Sequence, residues 1–176
     1  MREGHPARSV RPRARQRTRR AAACAFTLVE ILIVVAILGI LAAIVVPQFA
    51  SATASAGQSA FATNVRAYAQ ANALYYQDFG EYFEDSGTGN APVMFGEYFD
   101  VADFESETPI GGEWDFENNG VGGYEAAVGV VFTGAGTTQD DAFMEQVDRI
   151  FDDGDLANGG FREIEDNVRY YQIVSR

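Results

Sequence analysis

The sequence predicts an α+β protein in which a long N-terminal helix packs on a small antiparallel β-sheet head. Two observations lead to this fold class. An apolar run over residues 26–46 passes into an amphipathic pattern that ends near residue 79, and the following residues 80–176 alternate strand-like stretches with glycine-rich turns. The length of 176 residues leaves room for one modest head beside the helix.

Charge is distributed unevenly along the chain. Eight of the thirteen basic residues and one of the 25 acids precede Phe26, which leaves five arginines and 24 acids, a formal charge of −19, in the remainder. Such a surface repels nucleic acid, so we expect the head to bind none. The basic residues 1–25 stand directly before an apolar segment, and the positive-inside rule predicts that they stay in the cytoplasm while the acidic part is exported.

Cys24 and His5 are the only residues of their kinds, and both precede the apolar run. If residues 1–25 are removed as a leader, the mature chain has neither a thiol nor an imidazole. A disulfide framework, a Ser-His-Asp triad, a cysteine nucleophile and a zinc site built on His or Cys are then excluded. Acid pairs are plentiful, but no spacing singles out a catalytic pair, so the sequence predicts a protein that is not an enzyme.

Residues 26–46 are apolar except for Thr27 and Glu30. A helix of this length extends over roughly 31 Å, which is enough to cross the hydrocarbon core of a bilayer. An acid near the centre of such a helix costs about 2.5 kcal/mol or more, so Glu30 is expected to mark a site with a partner. We therefore interpret residues 26–53 as the transmembrane and assembly half of the helix, in contact with lipid through residues 26–46.

The residues around Phe26 resemble a processing signal. The stretch Ala25-Phe26-Thr27-Leu28-Val29-Glu30 joins a small residue, a phenylalanine and a glutamate, and it lies between a basic leader and an apolar run that ends at Pro47. This combination resembles the N-terminus of type IV pilins and type II secretion pseudopilins, which together form the type IV filament superfamily. The family usually has glycine before the cleaved bond, and this chain has Ala25 instead.

The resemblance implies that prepilin peptidase cuts between Ala25 and Phe26, removes residues 1–25 and methylates the new amine of Phe26. It also implies a single-pass inner-membrane precursor with a periplasmic head. The inner-membrane assembly platform would then polymerise the subunit with its own copies and with minor pilins. Whether the filament is an extracellular pilus or a periplasmic pseudopilus, and whether the subunit is major or minor, stays open.

Glu30 and the interval from Gly39 to Pro47 are the expected assembly features. A carboxylate in a low-dielectric environment is stabilised by an opposite charge, and the Phe26 amine of a neighbouring subunit would supply one for docking. The alternative is an acid near the helix end that contacts water or headgroups. Glycine and proline both weaken a helix, so Gly39 to Pro47 is expected to kink or unwind readily, and the resemblance implies melting there in filaments.

Beyond Pro47 the chain again has a helical pattern, and residues 54–79 form its amphipathic half. Six positions recur at helical spacing, with Asn72 as the polar exception: Phe61, Val65, Tyr68, Asn72, Tyr75 and Phe79. We expect this stripe to pack under the head.

The head, residues 80–176, is predicted to contain strands at Trp114/Phe116, at 126–132 and at 169–174. Trp114 is expected to be a core anchor, and glycines in residues 120–123 fit a hairpin connection between the first two strands. A helix is predicted over residues 140–151, with an apolar face made of Phe143, Val147, Ile150 and Phe151.

An acidic loop is the candidate ligand site of the head. Asp152, Asp153 and Asp155 place three carboxylates within four residues, and calcium takes six to eight oxygen ligands. The EF-hand pattern does not fit, because a loop starting at Asp153 has Asn158 at the glycine position and Ile164 at the glutamate position. A simple turn on an acidic surface explains the same residues, since Asp and Gly are default turn residues. No cofactor is required, and calcium at this loop is the alternative.

Two functions are open at this point. The first is a structural filament subunit, cleaved and methylated by prepilin peptidase. The second is an exported soluble acidic binding protein, whose signal would be cleaved after Ala52 in the stretch Ala50-Ser51-Ala52 to leave a chain that starts at Thr53.

Overall fold

A computed structural model describes residues 26–118, 123–134, 139–165 and 168–175. The predicted leader with Ala25, and residues 120–122 of the predicted hairpin connection, lie outside the described residues. The described residues fall into two compact units, which meet between residues 43 and 44 of the chain.

The described elements follow one another as a long helix, two short helical segments, a hairpin, a third helix and a second hairpin. They are α1 (Leu28–Phe79), a 3-10 helix (Phe95–Glu97), α2 (Val101–Phe104), β1 (Glu113–Asn118), β2 (Ala126–Val131), α3 (Asp141–Phe151), β3 (Phe161–Glu165) and β4 (Arg169–Ser175). The strands form an antiparallel sheet in the order β1-β2-β4-β3. A long N-terminal helix packed on a small antiparallel sheet confirms the predicted α+β, pilin-like fold class.

In the first unit, residues 28–43 are helical and all their side chains are exposed. The helix is long and apolar enough to cross a membrane, with a mean hydropathy of 3.1 over its most apolar window and 0% of that window buried. Gly39 and Pro47 both lie within continuous α-helix. The expected kink or melting between them therefore stays a prediction about the assembled state.

In the second unit, α1 buries the predicted stripe against the sheet. Phe61 and Val65 are fully buried, and the ring of Phe61 stacks on Trp114 with centroids 5.3 Å apart. Tyr68 meets Trp114 edge to face, so the tryptophan is the core anchor that the sequence predicted. Phe79 was wrongly included in the stripe, because α1 ends there and its side chain is 55% exposed.

Asn72, the polar exception in the stripe, is buried for a reason that the pattern does not show. Its Oδ1 accepts a 2.8 Å hydrogen bond from the backbone N–H of Phe83, just after the chain leaves α1. The amide thus satisfies a backbone donor that burial would otherwise leave unpaired. Asn72 fixes the return of the chain onto the helix.

Strand β2 is buried along its whole length, as predicted for a strand covered on both faces. Gly129 at its centre lies so close to β4 that a Cβ atom there would be 1.9 Å from the carbonyl oxygen of Tyr170. Only glycine permits this approach of the two backbones.

The head differs from its predicted outline in two respects. Strand β3 was not predicted, since it is an edge strand in which only Phe161 is buried. In α3 the predicted apolar face packs on the core, with Val147 fully buried and Phe143 and Phe151 half-buried, but Met144 is also fully buried and was not predicted. Asp148 is buried on the same helix, although its residue type predicted an exposed position.

Candidate functional site

The N-terminal end of α1 holds the residues that were predicted to act in processing and docking. Oγ1 of Thr27 accepts the backbone N–H of Glu30 at 3.2 Å, and Oε2 of Glu30 accepts the backbone N–H of Thr27 at 2.8 Å. This reciprocal pair is a capping box, which satisfies two donors at the start of the helix. The threonine followed three residues later by glutamate was a signal for this cap in the sequence, and it was overlooked.

Glu30 keeps the capacity to bind a further group. The Thr27 hydroxyl donates a second bond to the same Oε2 at 2.9 Å, and the carboxylate as a whole has about four acceptor positions. Phe26, immediately before the cap, has an 80% exposed side chain. Both predicted docking groups, Glu30 and the nitrogen of Phe26, therefore lie at the exposed start of the helix.

A family model described as the prokaryotic N-terminal methylation motif matches residues 20–46. The match covers the end of the basic leader, the capping box and the apolar run together. The match supports the resemblance to type IV pilins and pseudopilins that the residues around Phe26 indicated. No curated protein sequence and no solved structure matches it.

The methylation motif and the exposed apolar helix are both consistent with membrane anchoring. The motif also favours a structural role over an enzymatic one. The head follows as a separate part of the chain, and its polar groups form two clusters of interest.

The first cluster lies at the C-terminal end of α3. Carboxylate oxygens of Asp148, Asp152 and Asp153 lie within 4.8 Å of one another. Two of the three predicted calcium ligands are thus brought together, but the third member is Asp148 and not Asp155. The signal in the sequence was the spacing of four between Asp148 and Asp152, which places both at one side of a helix end.

Asp155 belongs to the turn that follows. Its Oδ1 accepts the backbone N–H of Ala157 at 3.1 Å, and its Oδ2 accepts Nδ2 of Asn158 at 2.7 Å. These two bonds lower the pKa of Asp155, the bond from Asn158 having the larger effect. Asp155 therefore serves as a turn residue, as the simpler interpretation of the loop expected.

Asp152 is held in place by the same loop. Its Oδ1 accepts the backbone N–H of Asp153 at 2.7 Å, and its Oδ2 accepts the backbone N–H of Gly160 at 2.5 Å. Burial acts to raise the pKa of Asp152, but the N–H of Gly160 and the other donors outweigh it and lower the pKa. Gly159 has φ +84°, and a Cβ there would lie 2.2 Å from Oδ2 of Asp152, so this glycine makes room for the carboxylate.

Asp148 is the unusual member of the cluster. It is 0% exposed, and its carboxylate interacts with the side chain of Asp152 and with the backbone N–H of Gly154. Burial, with Asp152 alongside, raises the pKa of Asp148 to about 7. An acid in this position is costly to ionise unless a proton or a cation accompanies it.

The second cluster lies on the face of β1 that points away from Trp114 and Phe116. Asp115 and Glu117 are 2% and 8% exposed. Arg169 donates to Oε1 of Glu117 at 2.6 Å, and the hydroxyl of Tyr171 lies 3.5 Å from the same oxygen. Burial, reinforced by the charge of Asp115, raises the pKa of Glu117 to about 7. No signal in the sequence marked these acids, because polar residues that alternate with apolar ones along a strand usually face solvent.

Proposed function

We propose that this protein is a structural subunit of a type IV pilus or of a type II secretion pseudopilus. One observation carries the proposal: the helix from residue 28 to 46 exposes every apolar side chain and buries none within the subunit. A continuous apolar surface of this size requires either lipid or other protein around it. Membrane anchoring before assembly and helix packing within a filament supply these two environments in succession.

In this proposal prepilin peptidase cuts the Ala25–Phe26 bond on the cytoplasmic side and methylates the amine of Phe26. The precursor waits in the inner membrane as a single-pass protein with a cytoplasmic N-terminus and a periplasmic head. The assembly platform then moves it into a filament of its own copies and minor pilins. The subunit contributes by polymerisation and carries out no catalysis.

Glu30 gives the docking step its electrostatic driving force. Before assembly its carboxylate is satisfied by the Thr27 cap, so the subunit tolerates the acid inside the apolar run. In the filament, the cationic amine of Phe26 from a neighbouring subunit approaches the same carboxylate, where the low dielectric strengthens their attraction. The contact also sets the axial position of one subunit relative to the next.

The decisive experiment is mass spectrometry of the mature N-terminus from native cells. The proposal expects a chain that begins with N-methylated Phe26. A chain that begins at Thr53 would instead identify the exported soluble binding protein, because the apolar run would then be lost. A full-length, unprocessed chain in the assembled fraction would also contradict the proposal.

Electron microscopy then separates the two kinds of filament. Surface fibres that bear the head on intact cells identify a pilus. Filaments confined to the periplasm, together with a secretion defect on deletion, identify a pseudopilus.

A further inference from the structure

Two grooves lie on opposite flanks of α1 within the head. An α-helix rotates by about 100° per residue, so Ala67 lies roughly 120° from Phe61 in one sense and Ala73 lies roughly 120° from it in the other. Ala67 lines a groove between α1 and the segment around α2, and Ala73 lines a groove between α1, the end of α3 and β4. The buried stripe of α1 separates the two grooves, so one subunit can contact two neighbours at once.

The first groove, here called the acidic groove, is lined by the aromatic rings of Tyr68 and Phe99 and by the exposed residues Asp103 and Glu107. Its volume of about 320 Å³ is at the lower end for ligand pockets, so it admits a side chain and not a whole helix or strand. Burial, and next the charge of Asp103, raises the pKa of Tyr68, so this carboxylate acts on the hydroxyl at the groove. Aromatic rings beside carboxylates attract a guanidinium or ammonium group.

The surroundings of the acidic groove strengthen its preference for a cation. Between Arg66 and Arg149 the chain has 17 acidic residues and no basic residue. The ion pairs of the described residues involve Arg149 and Arg169, and they include neither Asp103 nor Glu107. Within the described residues, no arginine therefore supplies the counter-charge of this groove.

The second groove, here called the arginine groove, contains a cation in a defined position. The guanidinium carbon of Arg66 lies 5.1 Å from the centre of the Phe151 ring, and Nη2 of Arg66 donates to the carbonyl oxygen of Ile150. Arg66 is exposed, and none of the ion pairs among the described residues includes it. A guanidinium has five N–H donors, so it can bind a carboxylate while it keeps both of these contacts.

We propose that Arg66 of one subunit docks at the acidic groove of a second copy of this chain, where its guanidinium binds Asp103 and Glu107. The inference rests on the proposed filament and names a contact between neighbouring heads within it. Arginine suits the groove because its planar fork binds carboxylates and also stacks on aromatic rings. Because Phe151 and Ile150 already hold the guanidinium, it loses little freedom when it docks.

The contact joins two different surfaces, so it is heterologous. Each copy offers the acidic groove on one flank of α1 and Arg66 on the other, which allows the same contact to repeat from subunit to subunit. Heterologous contacts produce rings when their rotation closes and helical filaments when it does not. The head contact is thus compatible with continuous growth, whereas a two-fold contact would stop at a dimer.

Charge reversal tests the contact in cells that express the full chain. Arg66→Glu should lower the yield of sheared filaments at least about tenfold, because it places a negative charge against the acidic groove. Asp103→Arg should cause a similar loss, because it repels Arg66. The double variant Arg66→Glu/Asp103→Arg exchanges the two charges and should recover the yield to within about threefold of the wild type.

Glu105→Arg is the matched control. Glu105 is exposed and lies two residues from Asp103, but it does not line the acidic groove. Glu105→Arg should therefore assemble normally, and it should not rescue Arg66→Glu.

The Tm of each variant shows whether the head still folds. Trp114 is the only tryptophan and is buried in the core of the head, so its fluorescence reports unfolding of the head specifically. All the substitutions are at exposed positions, so each Tm should stay within about 4 °C of the wild type. Should Arg66→Glu not fold, Asp103→Arg and cross-linking decide the outcome.

Cross-linking of intact filaments tests the geometry of the contact. Gln70→Cys lies at the arginine groove and Ser106→Cys at the acidic groove. With both cysteines in one chain, a short bis-maleimide should join the subunits into a ladder of dimers, trimers and larger multimers. Each single-cysteine variant should stay monomeric, because a heterologous contact does not bring two copies of one residue together.

The contact is overturned by a normal filament yield from Arg66→Glu, by a double variant that does not recover, or by rescue from Glu105→Arg. Cross-links that stop at dimers also overturn it. In each of these cases the wild-type filaments remain and the proposed function stands. A wild-type chain that begins at Thr53 and forms no filaments would refute the proposed function and this contact together.

Discussion

The hydroxyl of Tyr171 donates a 2.6 Å hydrogen bond to Oδ2 of Asp115, and the two residues are 56 positions apart in the chain. Tyr171 is 0% exposed and Asp115 is 2% exposed, so the bond lies in the interior of the head. Burial, and next the charge of Asp115, raises the pKa of Tyr171, which therefore remains a donor at all physiological pH values. The bond connects the edge strand β1 to β4 across the intervening strand β2.

Loss of this hydroxyl should destabilise the head. In Tyr171→Phe, Oδ2 of Asp115 loses the hydrogen bond from this hydroxyl and stays buried. An unsatisfied buried acceptor costs about 1–3 kcal/mol, so the free energy of unfolding should fall by that amount. Urea unfolding followed by Trp114 fluorescence measures it. Tyr76→Phe on the surface of α1 is the control and should change stability by less than about 0.5 kcal/mol.

Glu117 should make the head less stable as the pH rises. Its pKa is about 7 in the folded head and about 4.3 when unfolded, so the folded state holds the proton more tightly. Stability from this group is fully present below about pH 4.3, falls as the pH rises to about 7 and is constant above that. The difference in free energy of unfolding between Glu117→Gln and the wild type should therefore be more favourable to the variant at pH 8 than at pH 5, by on the order of 1–3 kcal/mol.

The comparison for Glu117 is Glu165, which pairs with the same Arg169 but has a side chain that is 61% exposed. Glu165→Gln should show no comparable gain at pH 8. Equal pH profiles for the wild type and Glu117→Gln would mean that Glu117 ionises normally.

Asn72→Ala should weaken the join between α1 and the head. The substitution removes the acceptor for the backbone N–H of Phe83, which stays buried, so we expect a loss of about 1–3 kcal/mol. Thermal unfolding followed by Trp114 fluorescence gives the measurement. Gln70→Ala, two residues earlier on the exposed side of α1, is the control and should leave the stability nearly unchanged. A similar loss of stability in Gln70→Ala would mean that the loss comes from a weaker helix and not from the missing hydrogen bond.

Gly129→Ala should prevent the sheet from forming in its observed register. Besides the oxygen of Tyr170, the added Cβ would lie 2.7 Å from Cα of Tyr171, and neither backbone atom can move without separating β2 from β4. We expect a loss of more than about 3 kcal/mol and little folded head by near-ultraviolet circular dichroism. Gly39→Ala, where a Cβ meets nothing within 4 Å, should leave the head unchanged.

Two variants distinguish the proposed docking role of Glu30 from its role in capping the helix. Glu30→Ala removes both and should abolish filament assembly, with a folded head. Thr27→Val removes the capping hydroxyl but keeps the docking charge, so it should lower helix stability by about 1 kcal/mol and still assemble. Pelleting of sheared or solubilised filaments measures assembly, and normal filaments from Glu30→Ala would contradict the ion pair.

Much of the fold was predictable because its signals are local. The amphipathic stripe of α1 around Phe61 and Tyr68, and the valine-rich strand β2, were recognised from periodicity and composition, which depend only on neighbouring residues. The N-cap of α3, where Asp140 accepts the N–H of Phe143 at 2.8 Å, is equally local. The edge strand β3 was missed because its own residues show no clear strand pattern. Its extended conformation depends on pairing with β4, which is distant information that a local pattern does not contain.

By itself, the sequence determined the apolar N-terminal helix, the position of Glu30 within it and the acidic character of the head. Each of these follows from the order of side chains along one segment. Only the tertiary structure decided that Asp148 joins Asp152 while Asp155 turns away, and that Asp115 is buried beneath Tyr171. The physical reason is that the cost of burying a charge depends on which distant groups surround it, and folding alone brings those groups together.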